Sequence, residues 1–465
     1  MGTLEEILVK LNAQESRLHE LELENGKLRD QVANLKSQLD KVEREGKQQA
    51  APFRKPRDQR KPPDEHKKPG QKPCHSASYK KPPGEDQVLQ VEQVEISCCP
   101  DCGGSLDDKQ THEHFVVDIP RFDPEWVKFL TESGHCKSCN ERKSSQHPNM
   151  PSRAVGAAGV TFGHNLVALA TLLRTQSGMT FRKMSRLFRD WFGISISPSG
   201  LQKALVRAEN ALRPTYDQIA KNVKASKRVH VDETGWWLAA ESHWAWVAAT
   251  ANCTLYVIAK SRGHEVAESL IGANYQGCLH SDFLNSYIPL DCKKSKCLSH
   301  LLATIDKLQR RRETLERDAR FHFLDRLKTL LQDAIGLWHA KPTMESGAYK
   351  KQTEWIQSRV DQLLSRKPRD YDNLKLCRRI RKYRESIFRF LYDPDAEPTN
   401  NLAERELRPL VINRKLSGGN RSRRGADRTA LLYSVYATLY RQGQNVVGAF
   451  LDALYGRRTI LINPA

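Results

Sequence analysis

Residues 227–239 read KRVHVDETGWWLA. Arg228–Val231 has the β-branched texture of a strand, and the polar run Asp232, Glu233 and Thr234 follows it. The stretch is expected to be a strand that ends in an acid. Working outward, HWAWVAATANCTLYVIAKSR (243–262) reads as two strands pairing as an antiparallel hairpin, with a turn near Ala251–Asn252. A short helix, His264–Leu270, comes next. GCLHSDFLNSY (277–287) is then a second strand ending in an acid, Asp282, and KSKCLSHLLATIDKL (294–308) is a strand running into a helix. Three antiparallel strands, a helix, a strand and a helix follow the order of a ribonuclease-H-like α/β sheet. In that sheet the first and fourth strands are neighbours, which would set Asp232 beside Asp282.

Carboxylates brought together repel, and a divalent cation relieves the repulsion. Two magnesium ions about 4 Å apart can activate a water or hydroxyl and stabilise the leaving oxygen of a phosphodiester. Such a site needs a third carboxylate. PTNNLAERELRPLVINRK (398–415) offers one: Asn400 or Asn401 can cap a helix, which puts Glu404 in its first turn. Glu404, Arg408 and Val411 then share a face, with Lys415 one turn further, whereas Glu406 faces elsewhere. The plainer readings are a strand-end or capping aspartate at 232 and an ordinary surface glutamate at 404.

Between these motifs, residues 307–395 read as an all-helical insertion, with Trp338 in its core and a surface that can touch DNA. After Glu404 comes GGNRSRRGADRT (418–429), a glycine-rich loop with Arg421, Arg423 and Arg424. With Arg408, Arg414 and Lys415 it suits recognition of a phosphate backbone. ALLYSVYATLYRQGQNVVGAFLDALYG reads as two apolar-faced helices closing the domain.

Upstream, residues 162–179, 180–193 and 195–212 read as three helices, the second entering through Thr180 and stopped by Gly193, the third entering through Ser199 or Pro198. With basic residues such as Arg182, Lys183, Arg186 and Lys203 they can form a helix-turn-helix that touches DNA; plain helical packing is the alternative. Before them stand Cys99-x2-Cys102 and Cys136-x2-Cys139, with Cys98 as a register alternative. Four thiolates select one structural Zn2+ ion, in a ribbon-like module whose strands are expected in HEHFVVDIP and EWVKFLTE. His112, His114 and His135 are spare ligands or surface histidines. Residues 51–83 hold eight prolines and ten lysines or arginines against three acids, which leaves nothing to bury and predicts a disordered basic linker. Residues 4–42 carry a heptad, with Leu4, Leu11, Leu18, Asn25, Val32 and Leu39 at a, and Ile7, Gln14, Leu21, Leu28, Leu35 and Val42 at d. That pattern predicts a dimeric coiled coil.

The 465 residues carry a formal charge of +20, which favours an anionic partner, nucleic acid first. The longest apolar stretch, near Leu166–Leu173, is too short to span a bilayer, and the N-terminus has no signal-peptide layout. Eleven cysteines are too few for a disulfide scaffold of this length, so a reduced, cytoplasmic protein is expected. The expected organisation is coiled coil (1–46), linker (47–90), zinc module (91–145), helical DNA-binding region (146–225), first part of the catalytic core (226–306), helical insertion (307–395), and second part of the core with C-terminal helices (396–465).

VDETGWW, LHSDFLNSY, CLSHLL and TNNLAERELRPLVINRK together resemble the transposases of the insertion sequence 66 family, over most of the chain from about residue 90. The resemblance implies a DDE-type DNA transposase whose catalytic acids are Asp232, Asp282 and Glu404. Its helix signature falls on Asn400, Asn401, Ala403 and Glu404, then Leu407, Arg408, Pro409, Arg414 and Lys415, and its cysteine–histidine pair on Cys297 and His300. The second acid follows His280 and Ser281, where a threonine–aspartate–glycine context is frequent in the family. Two Mg2+ ions (Mn2+ substituting), transposon-end and target DNA, a homodimer, small accessory proteins and a bacterial, nucleoid-associated location are further implications. A metal-dependent nuclease that does not join strands, and a DNA-binding protein without activity, are the alternatives. Cys297 and His300 alone are too few for a second metal site, and a buried cysteine beside a helix-start histidine is the plain reading.

Overall fold

The structure is a computed structural model. It describes Gln14, most of residues 82–151, and residues 161–463 apart from 315–321, 366, 367, 369, 458, 459 and 461. The heptad and almost all of the basic linker therefore lie outside the described residues. The chain divides into two compact units, Met1–Arg121 and Phe122–Ala465.

In the first unit the described part of HEHFVVDIP carries no strand, and Val116 and Val117 are 90% and 83% exposed. In the second unit EWVKFLTE also carries none, with Trp126 and Leu130 exposed. Apolar alternation makes a strand only where a partner face covers it, and the described apolar side chains of both segments are exposed except Phe129, which packs on His147. The strands come later instead. β1 (Ser133–Cys136) and β2 (Glu141–Ser144) form a tight antiparallel hairpin in which His135 opposes Arg142.

Three helices follow, α1 (His164–Thr175), α2 (Phe181–Phe192) and α3 (Pro198–Ala225). Thr180 stands at the N-cap of α2 without a side-chain cap bond, and Gly193 closes α2 in the left-handed region at φ 64°. Ser197, not Ser199, caps α3, its hydroxyl accepting the Gly200 amide, with Pro198 in the first turn. α3 also runs thirteen residues beyond the expected end at Leu212, straight through Pro214. Burial of Thr215, Ile219, Asn222 and Val223 on its continuing face outweighs the hydrogen bond that the proline removes. Met184, Phe188, Ile196 and Leu201 form the core that joins α1, α2 and α3.

The central sheet is built from β3 (Arg228–Leu238), β4 (Glu241–Ala249), β5 (Thr254–Ala259), β6 (Cys278–Ser281) and β7 (Lys293–Lys296), with α4 (His264–Ile271) between β5 and β6. Its order is β5-β4-β3-β6-β7, antiparallel on the β4 and β5 side and parallel on the β6 and β7 side. This is the ribonuclease-H-like core. One difference from the sequence reading is that β3 does not end at Asp232. Its parallel pairing with β6 stops at His230, while its antiparallel pairing with β4 continues to Leu238.

α5 (Leu298–Thr314) leaves β7 and leads into α6 (His322–Ala340), α7 (Ser346–Ser365), α8 (Tyr371–Lys382) and α9 (Arg384–Phe388). These helices share a core of their own, with Leu327, Ile356, Ile380 and Phe390 buried and Trp338 packed at its margin. Cys278 of β6 belongs to the same core, so the insertion is seated on the sheet. α10 (Asn401–Ser417) and α11 (Arg423–Arg441) then cover one face, where Trp236, Val247 and Tyr256 meet Ala403, Leu407, Leu410 and Tyr433. α12 (Val446–Tyr455) closes the other core, which holds Val229, Val231, Leu279 and Leu431. No described helix is long and apolar enough to cross a membrane.

The loop from α10 to α11 is strapped to the end of β3. The Asn420 amide donates to Trp237 O (2.9 Å), the Ala239 amide donates to Asn420 O (2.9 Å), and Trp236 Nε1 donates to Asn420 Oδ1 (3.0 Å). The close approach requires glycine at 419: φ is 89°, and a Cβ there would lie 2.2 Å from Trp237 O. Gly418 is also left-handed but has open space around it. Gly419→Ala should therefore destabilise the protein by about 1–3 kcal/mol and by more than Gly418→Ala, read as denaturation midpoints. Equal losses would show that the strap contributes nothing.

Candidate active site

Register brings the two aspartates together. β3 and β6 run parallel with Arg228 opposite Cys278, Val229 opposite Leu279 and His230 opposite His280. Asp232 lies two residues past His230, and Asp282 two residues past His280. Side chains repeat every second residue along a strand, so each acid follows its histidine on the same side. The rings of His230 and His280 stack one step behind, with centroids 4.1 Å apart and planes 15° from parallel.

Asn400 sets the third acid. It stands at the N-cap of α10, but its side chain does not cap the helix. It is fully buried: Nδ2 donates to Val231 O (2.9 Å), and Oδ1 accepts from His230 Nδ1 (3.2 Å). The start of α10 is thereby fixed to the backbone beside Asp232, and Glu404 rises in the first turn. Glu397, just before, ties the same strands: its amide donates to His280 Nε2 (2.7 Å) and its carboxylate pairs with Arg228 (2.7 Å). Burial and the stack hold both histidines neutral. His280 is pushed down to about 3, by burial first and then by Arg228, and His230 falls well below the ordinary range for the same leading reason.

The carboxyl of Asp232 is pushed up to about 7, first by burial, then by Glu233, with the charges of Asp282 and Glu404 adding and the Glu233 amide opposing. Asp282 and Glu404 are thus near enough to act on the charge of Asp232, although the three carboxylates do not all lie within 4.8 Å of one another. Asp232 Oδ1 accepts the Glu233 amide (2.9 Å) and Asp282 Oδ1 accepts the Leu284 amide (2.8 Å). Glu233, on the opposite face of β3, is a buried structural acid, held by Tyr287 Oη (2.6 Å) and by Arg262 Nε and Nη2 (3.0 and 2.7 Å). Glu406 is likewise occupied away from the site, accepting from Thr254 Oγ1 (3.2 Å).

One group here escaped the sequence reading. Lys296 is buried behind Asp282, donating to Asp282 O (2.6 Å) and Ser281 Oγ (2.9 Å) and ringed by Phe283, Tyr287 and Tyr383. Burial pushes its ammonium down to about 8, with Asp282 resisting. Cys297 and His300 open α5, and a third donor joins them. Among the described residues, Cys297, His300 and Glu404 are the trio of ligating side chains whose donor atoms all lie within 4.8 Å of one another. Sequence gave two of the three; Glu404 arrives from 104 positions further on.

The basic residues divide into two groups. Lys183 on α2, Lys203 on α3, Arg408 and Lys415 on α10, Arg421 in the strap and Arg424 in the first turn of α11 are exposed. Arg423 pairs with Asp427 (2.7 Å). Arg414, expected to face DNA, is half-buried and turned inward: its Nη1 donates to Thr234 Oγ1 (3.3 Å) and to Gly235 O, which makes it a tie between α10 and β3.

Each cysteine pair forms its own knuckle. In the first unit the Cys99 amide donates to Gly104 O (3.0 Å) and the Gly103 amide to Cys99 O (2.9 Å), and backbone hydrogen bonds from Asp101 and Cys102 lower the Cys99 thiol. In the second unit Cys136 ends β1, Cys139 lies in the turn to β2, and the backbone of Cys139 leads in lowering the Cys136 thiol. His114 and His135 are exposed, and His112 lies outside the described residues.

Residues 159–428 match the family described as Transposase IS66 family. An uncharacterized protein of Sinorhizobium fredii, y4hP, is 27% identical over 406 residues, which span 75% of this chain and 69% of that protein.

The carboxyl of Asp232 predicts a pH dependence. Unfolded, it titrates near 3.8; folded and metal-free, it keeps its proton to about 7. The folded state binds the extra proton in that window, so its contribution to stability falls as pH rises from about 4 to 7. In chelator, wild type should lose stability relative to Asp232→Asn across this window, and Mg2+ at pH 8 should stabilise wild type more than the variant. Parallel curves would show that Asp232 is not under this strain.

Proposed function

The chain belongs to the IS66 family of transposases, and on that premise we propose that it is a DDE-type enzyme that cleaves DNA at transposon ends and joins the freed 3′ end to target DNA. The observation that supports this reading is that Asp232 and Asp282 each follow by two residues a paired histidine of the parallel strands β3 and β6, while Glu404, in the first turn of α10, is near enough to act on the charge of Asp232. Burial first, then the charge of Glu233, with Asp282 and Glu404 adding, keeps Asp232 protonated, and a divalent cation relieves such strain, so Asp232, Asp282 and Glu404 are the residues to hold Mg2+ or Mn2+. The chemistry supplied by two such ions is activation of the attacking oxygen and stabilisation of the leaving one.

The protein's own part is alignment. Asn400 and His230 fix where Glu404 stands. Lys296 holds the backbone of Asp282 and sets a positive charge behind it. Arg421 on the strap, Arg424 in the first turn of α11, and Arg408 and Lys415 on the helix of Glu404 are exposed to meet phosphates, while Lys183 and Lys203 offer a second DNA-facing surface on α2 and α3. The spacing of the two cysteine pairs in the sequence supports one structural Zn2+ on Cys99, Cys102, Cys136 and Cys139. The heptad supports a homodimer, which would let two ends be handled together. A bacterial cytoplasmic location on the nucleoid, with small accessory proteins of the same element, completes the proposal.

The test is strand transfer with a precut duplex from the element's own end. Wild type with Mg2+ should give joined product, and Glu404→Gln and Asp232→Asn should lower it by about a hundredfold or more. Full product from Glu404→Gln would remove Glu404 from the site. Cleavage without joining would favour a nuclease of the same fold, and end binding without either reaction would favour the inactive DNA-binding protein.

On the same duplex, Arg421→Ala and Arg424→Ala should each weaken binding across all sequences and reduce the slope of log affinity against log salt by about one. An unchanged slope would place DNA elsewhere.

A further inference from the structure

The Cys297, His300 and Glu404 cluster is built differently from the aspartates around it. Cys297 immediately precedes α5, and His300 lies in the first turn of that helix. Glu404 lies in the first turn of α10. Two helix N-termini, which favour anionic groups, therefore converge on one point. The backbone there is fixed on every side: the Cys297 amide donates to Ser281 O (3.0 Å), the Leu298 amide to Pro398 O (2.9 Å), and the Asn400 amide to Cys297 Sγ (3.2 Å). Cys297 is 2% exposed. His300 Nδ1 is closed off from solvent and pairs with Glu404 Oε1 at 3.5 Å, and a hydrogen bond with the Cys297 side chain leads in holding the imidazole up to about 9, so a metal ion here takes the place of the His300 proton.

That spacing matches a tetrahedral ion. Zinc bonds of about 2.0–2.3 Å place neighbouring ligand atoms roughly 3.3–3.8 Å apart. All three donors already lie within 4.8 Å of one another. One sulfur, one imidazole and one carboxylate form a borderline-soft set that prefers Zn2+ to Mg2+. An N–H···S bond of the kind that Asn400 makes is the outer support expected of a ligating thiolate. We propose that Cys297, His300 and Glu404 bind a single Zn2+ ion, and that zinc held there inhibits the enzyme by taking Glu404 away from the magnesium site. The binding site stands on its own geometry; only the inhibition rests on the reading of Glu404 as a catalytic carboxylate.

Cobalt(II) reports thiolate ligation by its absorption and can be counted. Metal-depleted full-length wild type, Cys297→Ser and His300→Ala are titrated with Co2+. The knuckle cysteines respond in all three proteins, so the site is read as one further equivalent in wild type that both variants lack. Zinc should displace that equivalent, and millimolar Mg2+ should not. Identical cobalt titrations for wild type and both variants would overturn the site, whatever the protein's activity. Zinc is then titrated into the magnesium-dependent strand-transfer reaction. Wild type should be inhibited, and Cys297→Ser should raise the half-inhibitory zinc concentration by about tenfold or more. Equal zinc sensitivity would overturn the inhibition while leaving the cobalt count to decide the site. If wild type joins no DNA at all, the family reaction fails instead, and the cobalt count still decides the site.

Discussion

Three residue pairs of parallel strand set the geometry of the whole molecule. The pairing of Arg228–His230 with Cys278–His280 is short, buried on both faces, and followed at once by two acids. A slip of one residue would turn one acid to the opposite face. The fold guards against that slip with side chains as well as backbone. The stacked His230 and His280 rings match only in this register, and Glu397 binds across both strands by reaching Arg228 on one and His280 on the other. The neutral state of both histidines matters here, since two imidazoliums could not stack at 4.1 Å in a dry interior.

Charge is then managed in layers around that register. Asp232 is the strained member, kept from easy ionisation by burial and by its neighbours. Glu233, one residue on, points to the other face, where Arg262 and Tyr287 satisfy it. Lys296 places a cation behind Asp282 in a ring of aromatic faces that partly replace its lost hydration. The opposing signs are thus separated by the sheet: acids toward α10, their compensating groups beneath or behind.

How much of this was legible in the sequence follows from the range of the interaction involved. Strand order, the neighbouring positions of Asp232 and Asp282 and the helix that carries Glu404 were readable, since each depends on local periodicity and on the constraints of one sheet topology; the reading of the three as catalytic came from the family resemblance. The length of β3 was not. Its polar run looks like an ending, yet β4 continues to pair with it to Leu238. Local alternation also misled at residues 113–117 and at EWVKFLTE, where Val116, Val117, Trp126 and Leu130 stay exposed. The continuation of α3 past Pro214 depends on burial against other elements. Arg414 and Asn420 lie in a stretch that reads as a basic DNA-facing surface, but their partners sit about 180 positions earlier on β3. The Cys297 and His300 pair was visible; its third member came only from the folding together of two helix starts.

The arrangement also has a temporal consequence. Asp232 and Asp282 are made early, but α10 and the covering helix α11 come only after the entire insertion. A chain still on the ribosome at residue 390 has the parallel pair and neither the third carboxylate nor the layer that closes over Trp236 and Tyr256. Asp232 and Asp282 can thus be set side by side in a chain that still lacks the third acid, and Glu404 joins them only after the five described helices of the insertion have been made, so the order of elements separates the building of the sheet from the completion of the acid cluster.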